Sequence, residues 1–293
     1  MKVLAFGEIL WDIINGEAFL GGAPLNFAAH CAQCGNEAYI ISRVGKDRLG
    51  DQALTLCRTF RVNNTFVQVD SRRPTGTVDV ILAKGQPDYT IHENVAYDYI
   101  AADDIPDLQS YGFDVVYFGS LAQRSLKSSL ALDSVLERDN FPYVFYDVNI
   151  RKRIDAIGIL RRSLPRCTIV KMNTDEVRVV GALLGKESDS HEGICRVVVD
   201  RYPNIDVVII TAADEGCYVF HDGQLYHVPG IPVDVEDAIG AGDAFSAAFM
   251  NEFVRTRDPQ AAAGLANRIG AFVASQRGPI PTYTDEVLKA IRH

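Results

Sequence analysis

Short apolar runs in this chain alternate with longer stretches of good helix formers. The runs that predict buried strands are residues 3–9, 37–44, 65–69, 115–118, 143–146, 168–170 and 207–210. Helices are expected at about residues 26–35, 47–60, 121–137, 244–250, 260–275 and 284–291, and another after residue 176. Strands that alternate with helices in this way are typical of an α/β fold around a mostly parallel sheet.

Two segments depart from this alternation. Residues 75–91 show alternating polar and apolar positions around a turn at Gly85-Gln-Pro87, which predicts a β-hairpin. Together with part of 10–20 it predicts a small antiparallel lid, drawn from about 10–20 and 72–100. A second hairpin is expected over 217–228. Without repeats, low-complexity tracts or linkers, residues 1–293 are predicted to form one α/β domain that carries this lid.

Composition excludes several classes of protein. A formal net charge of -9 over 293 residues argues against nucleic-acid binding, which depends on basic patches. No apolar run approaches the roughly 20 residues of a membrane helix, and the first residues are interrupted by Glu8 and Asp12 too soon for a signal peptide. We therefore expect a cytoplasmic protein. Cys31 and Cys34 form a C-x-x-C without a second pair, so core packing is favoured over metal or redox roles.

The most informative stretch is Asp-Ala-Ile-Gly-Ala-Gly-Asp at residues 237–243, preceded by a valine-rich extended segment. Gly240, Ala241 and Gly242 present almost no side chain, and the helix that they open leaves free N–H groups for an anion. The Asp243 carboxylate looks misplaced there, because it should repel that anion. A role as the base for a hydroxyl that attacks phosphorus would explain its position. A plain tight turn is the alternative. Phe245 excludes the dinucleotide fingerprint, and no Walker-type phosphate loop exists.

A second candidate lies near the N-terminus. Asp12 stands in an apolar setting, and Gly-Gly-Ala-Pro-Leu-Asn at residues 21–26 places Asn26 near a helix start. An amide and a carboxylate suit neutral hydroxyl groups; a capping Asn and a solvated Asp are the alternative. No Lys or Arg occurs between Lys2 and Arg43, which favours an uncharged polyol over an acidic or phosphorylated substrate.

Polar clusters follow three of the predicted strands. They occupy residues 147–151, 171–176 and 211–216. In open α/β sheets, ligands bind at the carboxyl ends of the strands. These clusters therefore mark the expected binding edge.

Taken together, these motifs resemble the ribokinase-like (PfkB) sugar kinases over essentially the whole chain. The family's early Gly-Gly motif matches residues 21–26, its second signature matches residues 237–243, and Asn173-x-x-Glu176 lies between them. Gly-Gly-Ala-Pro with Asp147-x-Asn-x-Arg151 is most similar to the fructokinases. The resemblance implies a ribokinase-like fold and phosphorylation of a hydroxymethyl group by ATP, with fructose as the first candidate.

The resemblance also implies roles for individual residues. Asp243 becomes the catalytic base, and the backbone N–H groups that follow Gly240, those of Ala241, Gly242 and Asp243, become the anion hole. The sugar hydroxyls would be held by Asp12, Gly22 and Asn26, with Arg151 near the sugar or the transferring phosphate. The lid would close over the sugar, and because such lids pair across subunits in relatives, a homodimer is expected.

For the nucleotide side, the resemblance implies that Asn173 and Glu176 order magnesium and its waters around ATP, with Glu176 acting through water. The residues expected to border the nucleotide are Thr211, Asp214, Gly216 and Asn267. Relatives often hold potassium behind the anion hole, which here would involve Asp237, Ile239 and a loop at about 276–278. An Asp237 that only accepts N–H bonds within its own turn is an equal alternative.

The sequence departs from the family pattern at three positions. Ala238 replaces the usual Thr of the signature, Ala213 stands where a Gly is frequent, and Val148 replaces a common proline. Other acceptors stay open, namely 2-keto-3-deoxygluconate, ribose or a nucleoside. A non-catalytic sugar or nucleotide sensor on the same fold and a NAD-dependent dehydrogenase are the remaining alternatives, the first disfavoured by Asp243 and the second by the missing glycine fingerprint.

Overall fold

The computed structural model describes residues 1–14, 16–83, 86–152, 154–186 and 190–292. The strands are β1 (Lys2–Phe6), β2 (Leu10–Ile14), β3 (Glu17–Gly21), β4 (Glu37–Gly45), β5 (Val62–Asn63), β6 (Val67–Asp70), β7 (Gly76–Ala83), β8 (Gln86–Ile91), β9 (Val115–Gly119), β10 (Tyr143–Asp147), β11 (Ile169–Asn173), β12 (Val207–Thr211), β13 (Cys217–His221) and β14 (Gln224–Val228). The helices are α1 (Ala23–Gln33), α2 (Arg48–Thr59), α3 (Leu126–Arg138), α4 (Ala156–Ser163), α5 (Thr174–Leu183), α6 (His191–Arg201), α7 (Ala241–Thr256), α8 (Pro259–Ala274) and α9 (Asp285–Arg292).

The main sheet has ten strands in the order β14-β13-β12-β11-β10-β9-β1-β4-β5, with β6 also paired to β4. From β12 to β6 the pairs are parallel, and only the hairpin strands β13 and β14 are antiparallel. Successive elements of the chain thus deliver the carboxyl ends of β10, β11 and β12 to one edge. The predicted α/β architecture with a mostly parallel sheet is confirmed.

Helices cover both faces of this sheet, and the strands alternate between the two cores. In β1, Val3 and Ala5 belong to one apolar cluster and Leu4 and Phe6 to the other. The first cluster includes residues of α1, α2, α7, α8 and α9, whereas the second includes residues of α3, α4, α5 and α6. The two helices that carry the strongest motifs, α1 and α7, therefore lie on the same face.

The segments predicted to form a lid make up a separate four-stranded sheet, β3-β2-β7-β8. The sequence suggested an antiparallel lid, and that expectation is wrong at its centre. Strands β2 and β7 pair in parallel, from Leu10 opposite Gly76 onward, while β2–β3 and β7–β8 are antiparallel hairpins. The parallel pair arises because two hairpins distant in the chain join side by side. Gly85 of the predicted turn lies outside the described residues.

Several boundaries differ from the sequence prediction for identifiable reasons. Strand β1 stops at Phe6 because Gly7 turns the chain with φ +144°. Helices α4 and α6 were not predicted, although each begins with a capping side chain, Asp155 or Ser190, that accepts a backbone N–H. The valine-rich segment before the Gly240 turn joins no strand over residues 229–240, and its large apolar residues Ile231, Val233 and Val235 are exposed.

The positions of Cys31 and Cys34 agree with the predicted role in core packing. Cys31 is fully buried in α1, and burial raises the pKa of the neighbouring Cys34 thiol to about 12. Neither forms a disulfide. Within the described ranges, no helix has the length and apolar character needed to cross a membrane.

Candidate functional site

Helix α7 begins in a turn shaped by glycine. Gly240 has φ +81°, and a Cβ at that position would lie 2.5 Å from the carbonyl oxygen of Pro279. The helix starts at Ala241, whose N–H is 3.3 Å from the Ala238 carbonyl. Among the described residues, the N–H groups of Gly242 and Asp243 have no recorded acceptor. Two of the three predicted anion-hole donors are therefore available, and the third is already engaged in the turn.

Asp243 sits in the first turn of α7 and is buried, with 8% of its surface exposed. Its Oδ2 accepts a 2.8 Å hydrogen bond from Nδ2 of Asn26 on α1, over a separation of 217 residues. Burial raises the pKa of Asp243 to about 7, and the charge of Asp147 adds to the rise. Such a carboxyl group is poised to accept a proton near neutral pH.

The predicted sugar-side residues come together beside it. A Cβ on Gly21 would lie 2.9 Å from Oδ2 of Asp12 and 3.8 Å from Oδ1 of Asn26, so the glycine permits both side chains to approach. Burial raises the pKa of Asp12 to about 6. Asn26 Oδ1 is buried without a protein partner in the described part of the chain. This buried oxygen could accept a hydrogen bond from a ligand hydroxyl.

The backbone conformation at position 22 requires a glycine. Its φ is +112°, and a Cβ there would lie 2.5 Å from the backbone oxygen of Glu8. Any other residue would push the start of α1 away from the loop that follows β1. Gly22 thus shapes the pocket through its backbone.

Positive charge reaches this pocket from elsewhere in the chain. Arg151 lies close enough to lower the pKa values of Glu8, Asp12 and Asp243, although burial dominates and raises all three. Arg124 pairs with Asp98 through two of its nitrogens at 2.8 and 2.9 Å. The segment between Lys2 and Arg43 contains no Lys or Arg, so the positive charge near Asp12 and Asp243 comes from Arg151, which the family resemblance had placed here.

A buried ion pair beneath the turn was not assigned any role from the sequence. Lys171 Nζ donates to Asp147 Oδ2 at 2.7 Å, and Tyr117 donates to the same oxygen at 3.0 Å. Asp147 and Lys171 are the first residues of the polar clusters predicted at 147–151 and 171–176. A lysine within an otherwise apolar strand was the available signal.

Asn173 and Glu176, predicted to order magnesium, form the N-terminal capping box of α5. Asn173 Oδ1 accepts from the N–H groups of Asp175 and Glu176, and Glu176 Oε2 accepts from that of Asn173 at 2.8 Å. Glu176 Oε1 accepts from Ile150 N at 2.7 Å. Burial raises the pKa of Glu176. Each carboxylate oxygen keeps a free lone pair, which fits contact with magnesium through water rather than direct ligation.

The residues predicted to border a nucleotide also converge. Thr211 ends β12, and a Cβ on Gly216 would lie 2.2 Å from the Val228 oxygen, so only glycine fits there. Asp214 is exposed in the intervening turn. Asn267 on α8 donates from Nδ2 to the carbonyls of Val228 and Pro229, at 3.1 and 3.0 Å. Its amide is thus occupied in holding the end of β14.

The proposed cation turn has both of its carboxylate oxygens engaged. Asp237 Oδ1 accepts from Ile239 N at 2.9 Å, and Oδ2 accepts from Gly278 N at 3.3 Å. The C-terminal loop at 276–278 therefore does contact this turn, as the sequence predicted. The bond within the turn fits the alternative interpretation of Asp237 equally well.

Comparison with known proteins gives a consistent result. The family model described as pfkB family carbohydrate kinase matches residues 6–286. In sequence the chain is similar to a fructokinase of Escherichia coli, with 27% identity over 94% of each protein. A fructokinase of Klebsiella pneumoniae is 26% identical over 99% of both chains.

Two solved structures extend the comparison. An uncharacterized sugar kinase from Pyrococcus horikoshii in complex with ATP superposes with a TM-score of 0.86 at 25% identity, over 99% of each chain. A double mutant of the Vibrio cholerae fructokinase, bound to fructose, ADP and potassium, gives 0.85 at 22% identity, over 99% of this chain and 98% of that one.

Proposed function

Because this chain belongs to the pfkB family of carbohydrate kinases, we propose that it transfers the γ-phosphoryl group of ATP to a hydroxymethyl group of a neutral sugar, with fructose as the first candidate. The observation that carries the proposal is the buried Asp243 at the start of α7. Its pKa of about 7 and its hydrogen bond to Asn26 suit a general base that faces a sugar hydroxyl.

In this mechanism, Asp243 takes the proton of the sugar hydroxyl as its oxygen attacks the γ-phosphorus. The bond from that phosphorus to the bridging oxygen breaks, and ADP leaves with the electron pair. The free N–H groups of Gly242 and Asp243 would face the charge that develops on the transferring group. Asp12 and the unused Oδ1 of Asn26 would hold neighbouring hydroxyls.

Magnesium bound to ATP would neutralise phosphate charge, and Glu176 would hold it through water. The four-stranded lid sheet would close over the sugar and exclude water, which otherwise competes as acceptor. Fructose is placed first because both sequence relatives named above are fructokinases and because the pocket carries neutral-hydroxyl partners.

Arg151 supports one alternative acceptor, an acidic sugar such as 2-keto-3-deoxygluconate. Its charge reaches both Asp12 and Asp243. A carboxylate on the substrate would find this guanidinium on the sugar side of the base. This second candidate carries a carboxylate that fructose lacks, and it has no 3-hydroxyl group.

A sugar panel tests the proposal. ATP-dependent turnover is measured with fructose, ribose, 2-keto-3-deoxygluconate and fructose 6-phosphate, and kcat/KM is expected to be highest for fructose. The variant Asp243→Asn should lose roughly 10²–10⁴-fold in kcat while sugar and ADP still bind. Preference for a charged acceptor would contradict the fructose assignment, and turnover of the variant within a few-fold of the parent would contradict the base.

A further inference from the structure

Two buried charges lie directly beneath the start of α7. Lys171 in β11 is 6% exposed, and Asp147 at the end of β10 is 2% exposed. Burial alone would lower the pKa of Lys171, but the adjacent Asp147 carboxylate outweighs it, so that pKa is raised and the ammonium stays charged. A buried ion pair is rarely kept for stability alone, because desolvation offsets the attraction.

Asp147 is fixed on several sides. Besides Lys171, its Oδ2 accepts from Tyr117 at 3.0 Å and from Ser246 Oγ at 3.4 Å. The Ser246 hydroxyl has a single proton, and the Gly242 carbonyl in the first turn of α7, at 2.9 Å, competes with Asp147 for it. The carboxylate therefore has little freedom to move, and it fixes the position of the ammonium that it holds.

The Lys171 ammonium reaches the first turn of α7 at Gly242, which carries one of the free N–H groups. A Cβ on Gly242 would lie only 3.5 Å from Nζ. An ammonium carries three donors, and among the described residues Asp147 is its one recorded acceptor. Charged donors without acceptors, buried beside two free backbone N–H groups, define a place for an anionic group.

We propose that Lys171 donates to the transferring phosphoryl group as a catalytic residue, and that Asp147 is the positioning residue that holds this ammonium at the start of α7. The inference rests on the proposed function and adds to it the cation that meets the γ-phosphoryl oxygens. As the sugar oxygen bonds to phosphorus and ADP departs, Lys171 balances charge on those oxygens while Asp243 receives the proton.

The competing explanation is that Lys171 only neutralises Asp147. Paired substitutions separate the two. Lys171→Met leaves an unpaired carboxylate, but the double variant Lys171→Met with Asp147→Asn removes both charges and leaves no uncompensated one. If Lys171 acts only through Asp147, the double variant should regain the parent kcat. If it contacts the phosphoryl group, kcat should stay roughly 10²–10³-fold low, as for loss of one oxyanion donor.

The pH profile reports on the charges around Asp243, because substitutions that only loosen packing would not move it in opposite directions. The groups that face Asp243 are Asp147, Lys171 and Arg151, with neutral Asn26 and Tyr117. The acid limb is the low-pH side of the kcat/KM profile, where Asp243 becomes protonated. Removing the Lys171 charge should raise the pKa of Asp243 and move this limb to higher pH, and Asp147→Asn alone should move it to lower pH. The limb of the double variant should return toward the parent's.

ADP binding by calorimetry shows whether each variant keeps a folded site, and its affinity should stay within about three-fold, since ADP lacks the transferred group. Tyr117→Phe is the matched control: it removes a donor to the same Asp147 oxygen but no charge, so its acid limb should not move. A double variant within ten-fold of the parent kcat, or limbs that move in the same direction, would overturn the inference.

The sugar-kinase proposal is contradicted independently of the role of Lys171 if the parent protein phosphorylates none of the sugars. ATP hydrolysis by the parent, with water as acceptor, then provides the same comparison of variants. A double variant that hydrolyses ATP as fast as the parent overturns the role of Lys171, and a loss of the same 10²–10³-fold supports it.

Discussion

Asp243→Asn should stabilise the protein while it removes activity, and the gain should depend on pH. Folding raises the pKa of Asp243 from 3.8 to about 7 through burial. The contribution of this group to stability is therefore fully present below pH 3.8 and declines as the pH rises to about 7, beyond which it stays constant. Asparagine is neutral in both states, so its contribution does not change with pH.

The magnitude follows from the two pKa values. At pH 8 the folded state carries a penalty of about 4 kcal/mol, since each pKa unit corresponds to roughly 1.4 kcal/mol. At pH 5 the penalty is about 1–2 kcal/mol, because only the interval from 3.8 to 5 counts. With about 0.6 kcal/mol per degree for a chain of this length, the gain in Tm should be near 2 °C at pH 5 and roughly 7 °C at pH 8.

Thermal unfolding followed by circular dichroism at the two pH values provides the measurement. Asp200→Asn, at an exposed position near the end of α6, controls for the substitution itself. A variant whose gain at pH 8 is no larger than at pH 5, or one that is destabilised at both, would refute a raised pKa as the cause. Loss of the Asn26 bond is not expected, because the asparagine side-chain oxygen still accepts it.

Three further outcomes are expected. Ala213 has φ +48°, so Ala213→Gly should stabilise by about 1 kcal/mol and raise Tm by about 1–2 °C, whereas Ala212→Gly at φ -126° should not; equal shifts would contradict the strain. Potassium should raise kcat over sodium or a bulky organic cation at constant ionic strength, and Asp237→Ala should remove the difference; identical rates in all three salts would leave Asp237 a turn residue. Fructose should slow hydrogen exchange of amides in Gly76–Ala83 and Gln86–Ile91, and unchanged exchange would exclude a lid role.

Local signals predicted most of the fold. The strand of residues 207–210 and the helix that starts after Asp47 are visible because apolar runs and a capping carboxylate act over a few residues. The parallel pairing of β2 with β7 was not predictable in this way, since it joins segments some 65 residues apart and leaves each hairpin unchanged. Helix α6 was also not predicted. Its local start signal is a single capping residue, Ser190, which follows a polar stretch.

The residues of the candidate site were likewise predictable where the signal is local in sequence, and not where it depends on a tertiary contact. Gly240 and Asp243 were found because a glycine turn and a helix start are contiguous in sequence. Asp147 and Lys171 lie in the predicted polar clusters but received no role, because their significance depends on a contact between two strands. The electrostatics were the least predictable part: the family resemblance placed Arg151 near the sugar, but the raised pKa values of Asp12 and Asp243 depend on burial that the sequence does not show.

The residues of the candidate site come together because they lie at one edge of the main sheet. Strands β10 and β11 end side by side, which places Asp147 against Lys171, and α7 begins directly above the pair. Helix α1 approaches from the same face and contributes Asn26 to Asp243. Four segments far apart in the chain must therefore be folded before Asp243 acquires its raised pKa. A change that loosens any of them should weaken the base before it unfolds the protein, and the acid limb of the rate profile should report it first.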